Sequence, residues 1–139
     1  MRVLGLDVGD RRIGVALSDA LGLTAQRLIL LERKSLAEDM AAVQGLVAAH
    51  QVEHIVIGLP LTLKGEHGIQ AQKVHTFAQH LRQHVVVPVD LVDERLTTVQ
   101  GERALREAGT SARRRKQTID QVAAQLILQH YLDGRRITS

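Results

Sequence analysis

Apolar residues alternate with small or polar ones over residues 2–8 and 12–18, and the Gly9-Asp10-Arg11 region between them carries the turn chemistry of a β-hairpin. A third strand is predicted over 24–31, "TAQRLILL". From Ser35 to about His50 the period becomes helical. Ser35 stands as N-cap with Glu38 three residues on, and Leu36, Met40, Val43, Leu46 and Val47 recur on one side. "HIVIGLPL" at 54–61 is a short β-branched run, as expected of a central strand covered on both faces. Gly65 and Gly68 mark a loop, and Ile69 to His84 reads as a second helix with Val74, Phe77, Ala78 and Leu81 inward. A last strand covers 87–94 with Pro88 at its start, where a missing amide proton costs no ladder bond. Beyond it a helix from Thr97 or Thr98 to Ala108 is predicted, stopped by Gly109. A basic loop follows, then a final helix from about Thr118 to Leu132 with Ile119, Val122, Ala123, Leu126 and Ile127 as its core stripe.

Three hairpin-linked strands followed by alternating helices and strands predict an α/β fold, a mixed five-stranded sheet with helices on its faces. With 139 residues, 45% of them hydrophobic and 24% charged, the chain reads as one domain spanning 1–139. It has no internal repeat or low-complexity segment. The absence of cysteine excludes disulfides and thiolate metal sites and suits a reducing compartment. No cleavage-site pattern follows the N-terminus and no apolar run reaches membrane-spanning length, so a cytoplasmic protein with no membrane partner is expected.

Charge placement says more than the net +3. Between Gly101 and Lys116 six cations, Arg103, Arg106, Arg113, Arg114, Arg115 and Lys116, stand against Glu102 and Glu107, an excess that suits a phosphate-rich partner. Phe77 and Tyr131 are the only aromatics, so a nucleic acid would be held by backbone and shape rather than by base stacking. Arg11, Arg12, Lys64 and Arg95 are weaker candidates for the same contacts. His50 with His54, and His80 with His84, have a spacing that invites metal, but no third ligand is evident and surface histidines are expected.

The acid in the first strand is the candidate for chemistry. Val3, Gly5 and Asp7 share one face by alternation, as do Gly14, Ala16 and Ser18 on the second strand. If these small-residue faces coincide, Asp7 has open space around it. An unpaired buried carboxylate is costly, so Asp7 either pairs with Arg11 or Arg12 and organises the turn, or serves as a metal ligand. Asp93 and Glu94 at the end of the fifth strand, and Asp120 in the first turn of the last helix, each have an ordinary explanation as solvated surface or dipole partner. Together with Asp7 they offer oxygen ligands from three elements, a donor set that suits Mg²⁺ or Mn²⁺. Two such ions activate water and stabilise the leaving oxygen in phosphodiester hydrolysis.

"DVGDRRIGVALSD", "GLPLTLKGEHG", "DERLTT" and "IDQVAAQLILQHYL", in this order, resemble the YqgF (RuvX) family of bacterial proteins over nearly the whole chain. The resemblance implies a ribonuclease H-like fold related to Holliday junction resolvases and a nuclease maturing the precursor of small-subunit ribosomal RNA. It also implies a metal site of Asp7, an acid of Asp93-Glu94-Arg95, and Asp120. Glu94 is preferred there, although alternation leaves both open: Glu94 shares a face with Asp90 and Val92, Asp93 with Val89 and Leu91. Two positions depart from the family pattern. Thr62 stands where Asn usually follows Gly-Leu-Pro-Leu, and Lys64 where many relatives have a smaller or acidic residue, which puts substrate contacts of that loop in question. Related resolvases also carry an acid ending the fourth strand, where this chain has "IGLP".

The expected activity is thus a metal-dependent nuclease on precursor rRNA or branched DNA, acting as monomer or homodimer. A binding module of the same fold that does not cut is the rival. A nucleotide-binding reading of "DVGDRRIG", after the Asp-x-Gly turn of actin-like and sugar-kinase folds, lacks the second lobe and second motif it needs.

Overall fold

The computed structural model describes residues 1–62, 64–94 and 112–138, with side chains of the last segment over 122–135. Strands β1 (Val3–Val8), β2 (Arg12–Ser18) and β3 (Ala25–Glu32) are followed by helix α1 (Leu36–Ala49), strand β4 (His54–Leu59), helix α2 (Ile69–His84), strand β5 (Val89–Asp93) and helix α3 (Ala112–Thr138). The strands form a five-stranded sheet in the order β3-β2-β1-β4-β5. β1, β2 and β3 are antiparallel neighbours, whereas β4 lies parallel to β1 and β5 parallel to β4. The predicted mixed sheet and its elements are therefore present. The helix expected between Thr97 and Ala108 lies outside the described residues.

Local chemistry accounts for the boundaries. Ser35 Oγ accepts the amide of Glu38 at 3.1 Å and starts α1. Gly9 N donates to Arg12 O at 2.8 Å, closing the β1–β2 hairpin over Asp10 and Arg11. Pro88 donates nothing, but its carbonyl accepts from Ile55 N at 2.9 Å, which sets the phase of β5 against β4.

The two faces of the sheet are packed differently. On one, Leu4, Leu6, Ile13, Val15, Ile55 and Ile57 meet Met40 and Val43 of α1 and Val74, Phe77, Ala78 and Leu81 of α2. Each large side chain buried there contributes about 1.5–3 kcal/mol. On the other, Val3, Ala16 and Val56 lie under Ala124, Leu128 and Leu132, and Val92 packs on Ala123 and Ile127. α3 covers this second face alone among the described elements, and its sheet contacts are small. A Cβ on Gly5 would stand 2.8 Å from Leu128 Cβ and 3.2 Å from Ala124 O. Gln125 Nε2 donates to Ala25 O at 3.0 Å and Ala25 N donates to Gln129 Oε1 at 2.9 Å, which ties α3 to the start of the edge strand β3.

Two expectations for the last helix need correction. Ala123 and Ile127 are buried as expected, but Ala124, Leu128 and Leu132 join them while Val122 and Leu126 are only partly buried, because the sheet offers glycine and alanine and accepts the helix closely; the Ile119 side chain lies outside the described ones. Arg113, Arg114, Arg115 and Lys116, expected in a loop, fall within the span of α3. Ala, Arg, Lys and Gln are all good helix formers, and nothing between Ala112 and Gln117 interrupts the backbone.

Three outcomes follow for stability. Gly5→Ala forces a methyl into Leu128 and the α3 backbone. It should cost about 1–3 kcal/mol and lower Tm by several degrees in a thermal melt followed by circular dichroism. Gly45→Ala, at a helical position where a Cβ meets nothing within 4 Å, should raise stability by about 0.5–1 kcal/mol in the same experiment. Asp19 Oδ1 accepts the amides of Leu23 at 2.7 Å and Thr24 at 2.9 Å, and the Thr24 bond, then the Leu23 bond, hold its carboxyl below the usual 3.8. With the folded value depressed, this contribution is complete above about pH 4 and lost as pH falls through the lowered value. The melting curves of wild type and Asp19→Ala should therefore differ at neutral pH and converge in strong acid.

Candidate active site on the α3 face

Register decides which acids meet. Asp7 is paired with Gly14 and Gly5 with Ala16, so the small residues of β1 and β2 do share one face, the one under α3. Asp7 is 6% exposed there. β1 and β4 run in parallel with Leu6 opposite Ile57, which brings Gly58 beside Asp7, and Gly58 is in turn paired with Val92 of β5. Val92 packs under α3, so two residues on, just past the strand, Glu94 returns to the same face. Asp93, paired with Leu59, follows Val89 and Leu91, which belong to the layer of α1 and α2. The alternation that left Asp93 and Glu94 open thus places Glu94, and not Asp93, on the face of Asp7.

Gly58 makes the approach of these acids possible. A Cβ built on it would lie 3.1 Å from Glu94 Cγ and 2.4 Å from Ile127 Cδ1, so the Glu94 side chain lies back over the β4 backbone. Glu94 is 1% exposed. Neighbouring strands are about 4.8 Å apart, so a side chain over β4 is roughly one strand spacing from Asp7 on β1. Gly58 did not figure among the candidate residues. The signal for it was a glycine interrupting the β-branched run of 54–59, where a close approach is the usual reason.

The small residues near Asp7 serve a different end from the one expected. Alternation predicts open space around Asp7, but at Gly5 that space is filled by Leu128 and Ala124, and Gly58, a further small residue on this face, is covered by Ile127 and Glu94. Their first use is to let α3 close on the sheet. That closeness carries the helix toward the acids. The Tyr131 ring lies tilted against that of His54 at the start of β4, with centroids 5.6 Å apart, and Ala124 lies over Gly5, so the N-terminal part of α3 extends toward the carboxyl end of β1. Four helical residues, from Ala124 to Asp120, advance about 6 Å. Two strand residues, from Gly5 to Asp7, advance about 6.6 Å. The helix backbone thus reaches the level of Asp7 near Asp120, whose side chain lies outside the described ones. Among the described residues no three acids or histidines form a metal-sized cluster.

The predicted cations separate into groups. Arg12 Nε is 3.2 Å from Glu32 Oε1, so its guanidinium is engaged along the β2–β3 ladder. Arg11 is exposed at the tip of the β1–β2 turn, and Lys64 is exposed in the loop after β4. Neighbouring Asp10 is bonded to Lys73 of α2 at 3.2 Å, and that bond holds its carboxyl below the ordinary range. Arg95 and the side chains of Arg113, Arg114, Arg115 and Lys116 lie outside the described residues. Thr62, the departure from the family pattern, uses its hydroxyl locally: Oγ1 accepts Glu66 N at 3.0 Å, and Thr62 N donates to Glu66 O at 2.9 Å. None of the paired histidines forms a ligand set. His54 Nε2 meets Asp90 Oδ2 at 2.8 Å, and His84 Nδ1 meets His80 O at 2.8 Å.

The acids stand at the carboxyl ends of the parallel strands β1, β4 and β5, the end at which open α/β sheets usually bind their ligands. Solved structures share this architecture. T. thermophilus RuvC in complex with a Holliday junction substrate superposes with a TM-score of 0.60 over 98% of this chain and 96% of its own, at 16% identity. The fowlpox virus Holliday junction resolvase gives 0.55 over 96% and 99%, at 10% identity. Those likenesses show a shared fold. Sequence relatives are much nearer: a protein of Moorella thermoacetica named "Putative pre-16S rRNA nuclease" is 56% identical over 133 residues, 96% of this chain and 95% of its own. A protein of the same name from Myxococcus xanthus is 50% identical over 136 residues, covering 98% and 90%. The RuvX family model, described as Holliday junction resolvase, matches residues 1–134, and with these relatives it shows that the chain belongs to the RuvX family of resolvase-like nucleases.

Proposed function

We propose that the chain is a divalent-metal-dependent nuclease that matures the 5′ end of precursor 16S ribosomal RNA in the cytoplasm. The observation that carries this reading is the burial of Asp7 and Glu94 on one face, with Gly58 between them. Two carboxylates this close in a dry layer suit a shared positive charge, and their hard oxygens fit Mg²⁺ or Mn²⁺. Asp7 and Glu94 would hold the metal, with Asp120 from α3 as the third ligand. When bound, such ions activate water and neutralise the leaving oxygen. The chain's own residues do the rest. β1 and the end of β5 fix two carboxylates at a set spacing, α3 excludes water from the inner side, and Arg11, Lys64, Arg95 and the basic segment Arg113 to Lys116 bind the phosphate backbone.

The names of the relatives support precursor rRNA as substrate. A second reading, a four-way DNA junction, is favoured by the description of the family model. End-labelled precursor RNA and a labelled junction, offered side by side with Mg²⁺ or Mn²⁺, separate the two. Cutting of the RNA at its 5′ flank is expected, and cutting of the junction alone would reverse the assignment. Binding of both without cleavage would favour the non-cutting module.

Asp7→Asn and Glu94→Gln should each lower kcat by more than about a hundredfold, beyond the usual cost of losing a group that only supports a ligand. Neither should lower the affinity for RNA. Wild-type rates in purified Asp7→Asn would sink the mechanism. Gly58→Ala should also reduce cleavage, because Ile127 Cδ1 can rotate away while Glu94 Cγ must move from its place beside Asp7. Its rate at saturating RNA should fall further than its melting temperature predicts.

A further inference from the structure

Asp39 is buried, with 5% exposure, in the first turn of α1, and the chemistry above makes no use of it. Its partner is Arg33, immediately after β3, with Nε 3.0 Å from Asp39 Oδ2. The other carboxylate oxygen accepts Lys34 N at 3.1 Å. From this anchorage Arg33 reaches the β1–β2 turn twice. Its Nη1 donates to Gly9 O at 3.0 Å and its backbone amide donates to Arg11 O at 2.8 Å. Its guanidinium also lies 5.3 Å from the centre of the Phe77 ring of α2.

We propose that Arg33, held by Asp39, is a positioning residue that presents Arg11 to the phosphate backbone of the nucleic acid. This rests on the nuclease reading above. The turn has only two residues at its tip, Asp10 and Arg11. Asp10 is drawn to Lys73, and the carbonyls of Gly9 and Arg11 are pinned by Arg33, so the direction in which Arg11 leaves the backbone is set from both sides. The Arg11 side chain is exposed and makes no hydrogen bond or ion pair with another described residue. It stands at the end of the sheet where β1 carries Asp7, three residues beyond the last register pair of β1, Val8 with Ile13. A buried ion pair is a weak source of stability, since apolar replacements often serve as well. What Arg33 and Asp39 supply that an apolar pair would not is directed hydrogen bonding to a backbone whose exposed arginine is thereby preorganised.

The test is a double-mutant cycle on the full chain, with the precursor RNA as probe, measuring Kd across a salt series together with kcat and KM. Arg33→Lys keeps a positive charge but cannot reach both Asp39 and Gly9 O. It should raise KM by about three- to tenfold, leave kcat within about twofold, and flatten the dependence of log Kd on log salt by up to about 0.9, as loss of one phosphate contact does. In an Arg11→Gln background the same change should add almost nothing. Asp39→Asn, which keeps an oxygen for the Lys34 amide, should reproduce the pattern and serves in place of Arg33→Lys if that variant does not fold. Equal effects of Arg33→Lys with and without Arg11 would overturn the positioning role, as would unchanged binding by Arg11→Gln, while leaving the nuclease reading intact. A wild-type chain that binds no nucleic acid overturns both.

Discussion

The packing of the α3 face depends on places where the sheet has no side chain, Gly5 and Gly58 among them. Gly5 admits Leu128 and the backbone of Ala124, and Gly58 admits Ile127 and Glu94. A helix on a sheet of branched residues would stand off by the depth of those side chains. Here it lies almost on the strand backbone, with Ala123 and Ala124 facing in, and apolar contact is gained by closeness rather than by bulk. The opposite face shows the other solution, with Phe77, Met40, Leu81 and the isoleucines filling a thicker layer.

A thin layer changes what a charge within it experiences. Asp7 and Glu94 are almost removed from solvent, although they lie at the end of the strands. Burial strengthens any electrostatic interaction made there and raises the cost of leaving it unmade. That combination suits the proposed site, and it follows from ordinary packing.

The strands, the capped helix at Ser35 and the inward stripe of α2 were legible because each is a local pattern, repeated within a few residues of itself. Asp7 stood out for the same reason, as a charge in a run that otherwise buries every position. The parity of Asp93 and Glu94 was not legible, since a five-residue strand carries its own alternation but not its phase against the sheet. The phase comes from the pairing of Ile55 with Val89, a non-local fact. The stripe of α3 was right at Ala123 and Ile127 but took Val122 and Leu126 in place of Ala124 and Leu128, because the helix's own period does not show which flank meets the glycines of the sheet. Arg33 and Asp39 gave no signal at all. They are six residues apart across a helix start, and what joins them is a turn more than twenty residues upstream.

The covering of one sheet face by α3 also has a bearing on synthesis. β1 is made before α3, so the helix that covers the face carrying Asp7 arrives only after the intervening strands and helices have emerged. Gln125 and Gln129 then close on Ala25, a contact spanning about a hundred positions. Long-range closure of this kind comes late and at a large entropic cost. A growing chain therefore holds the first acid long before α3 covers it, and competence of the face depends on both ends of this span being present together.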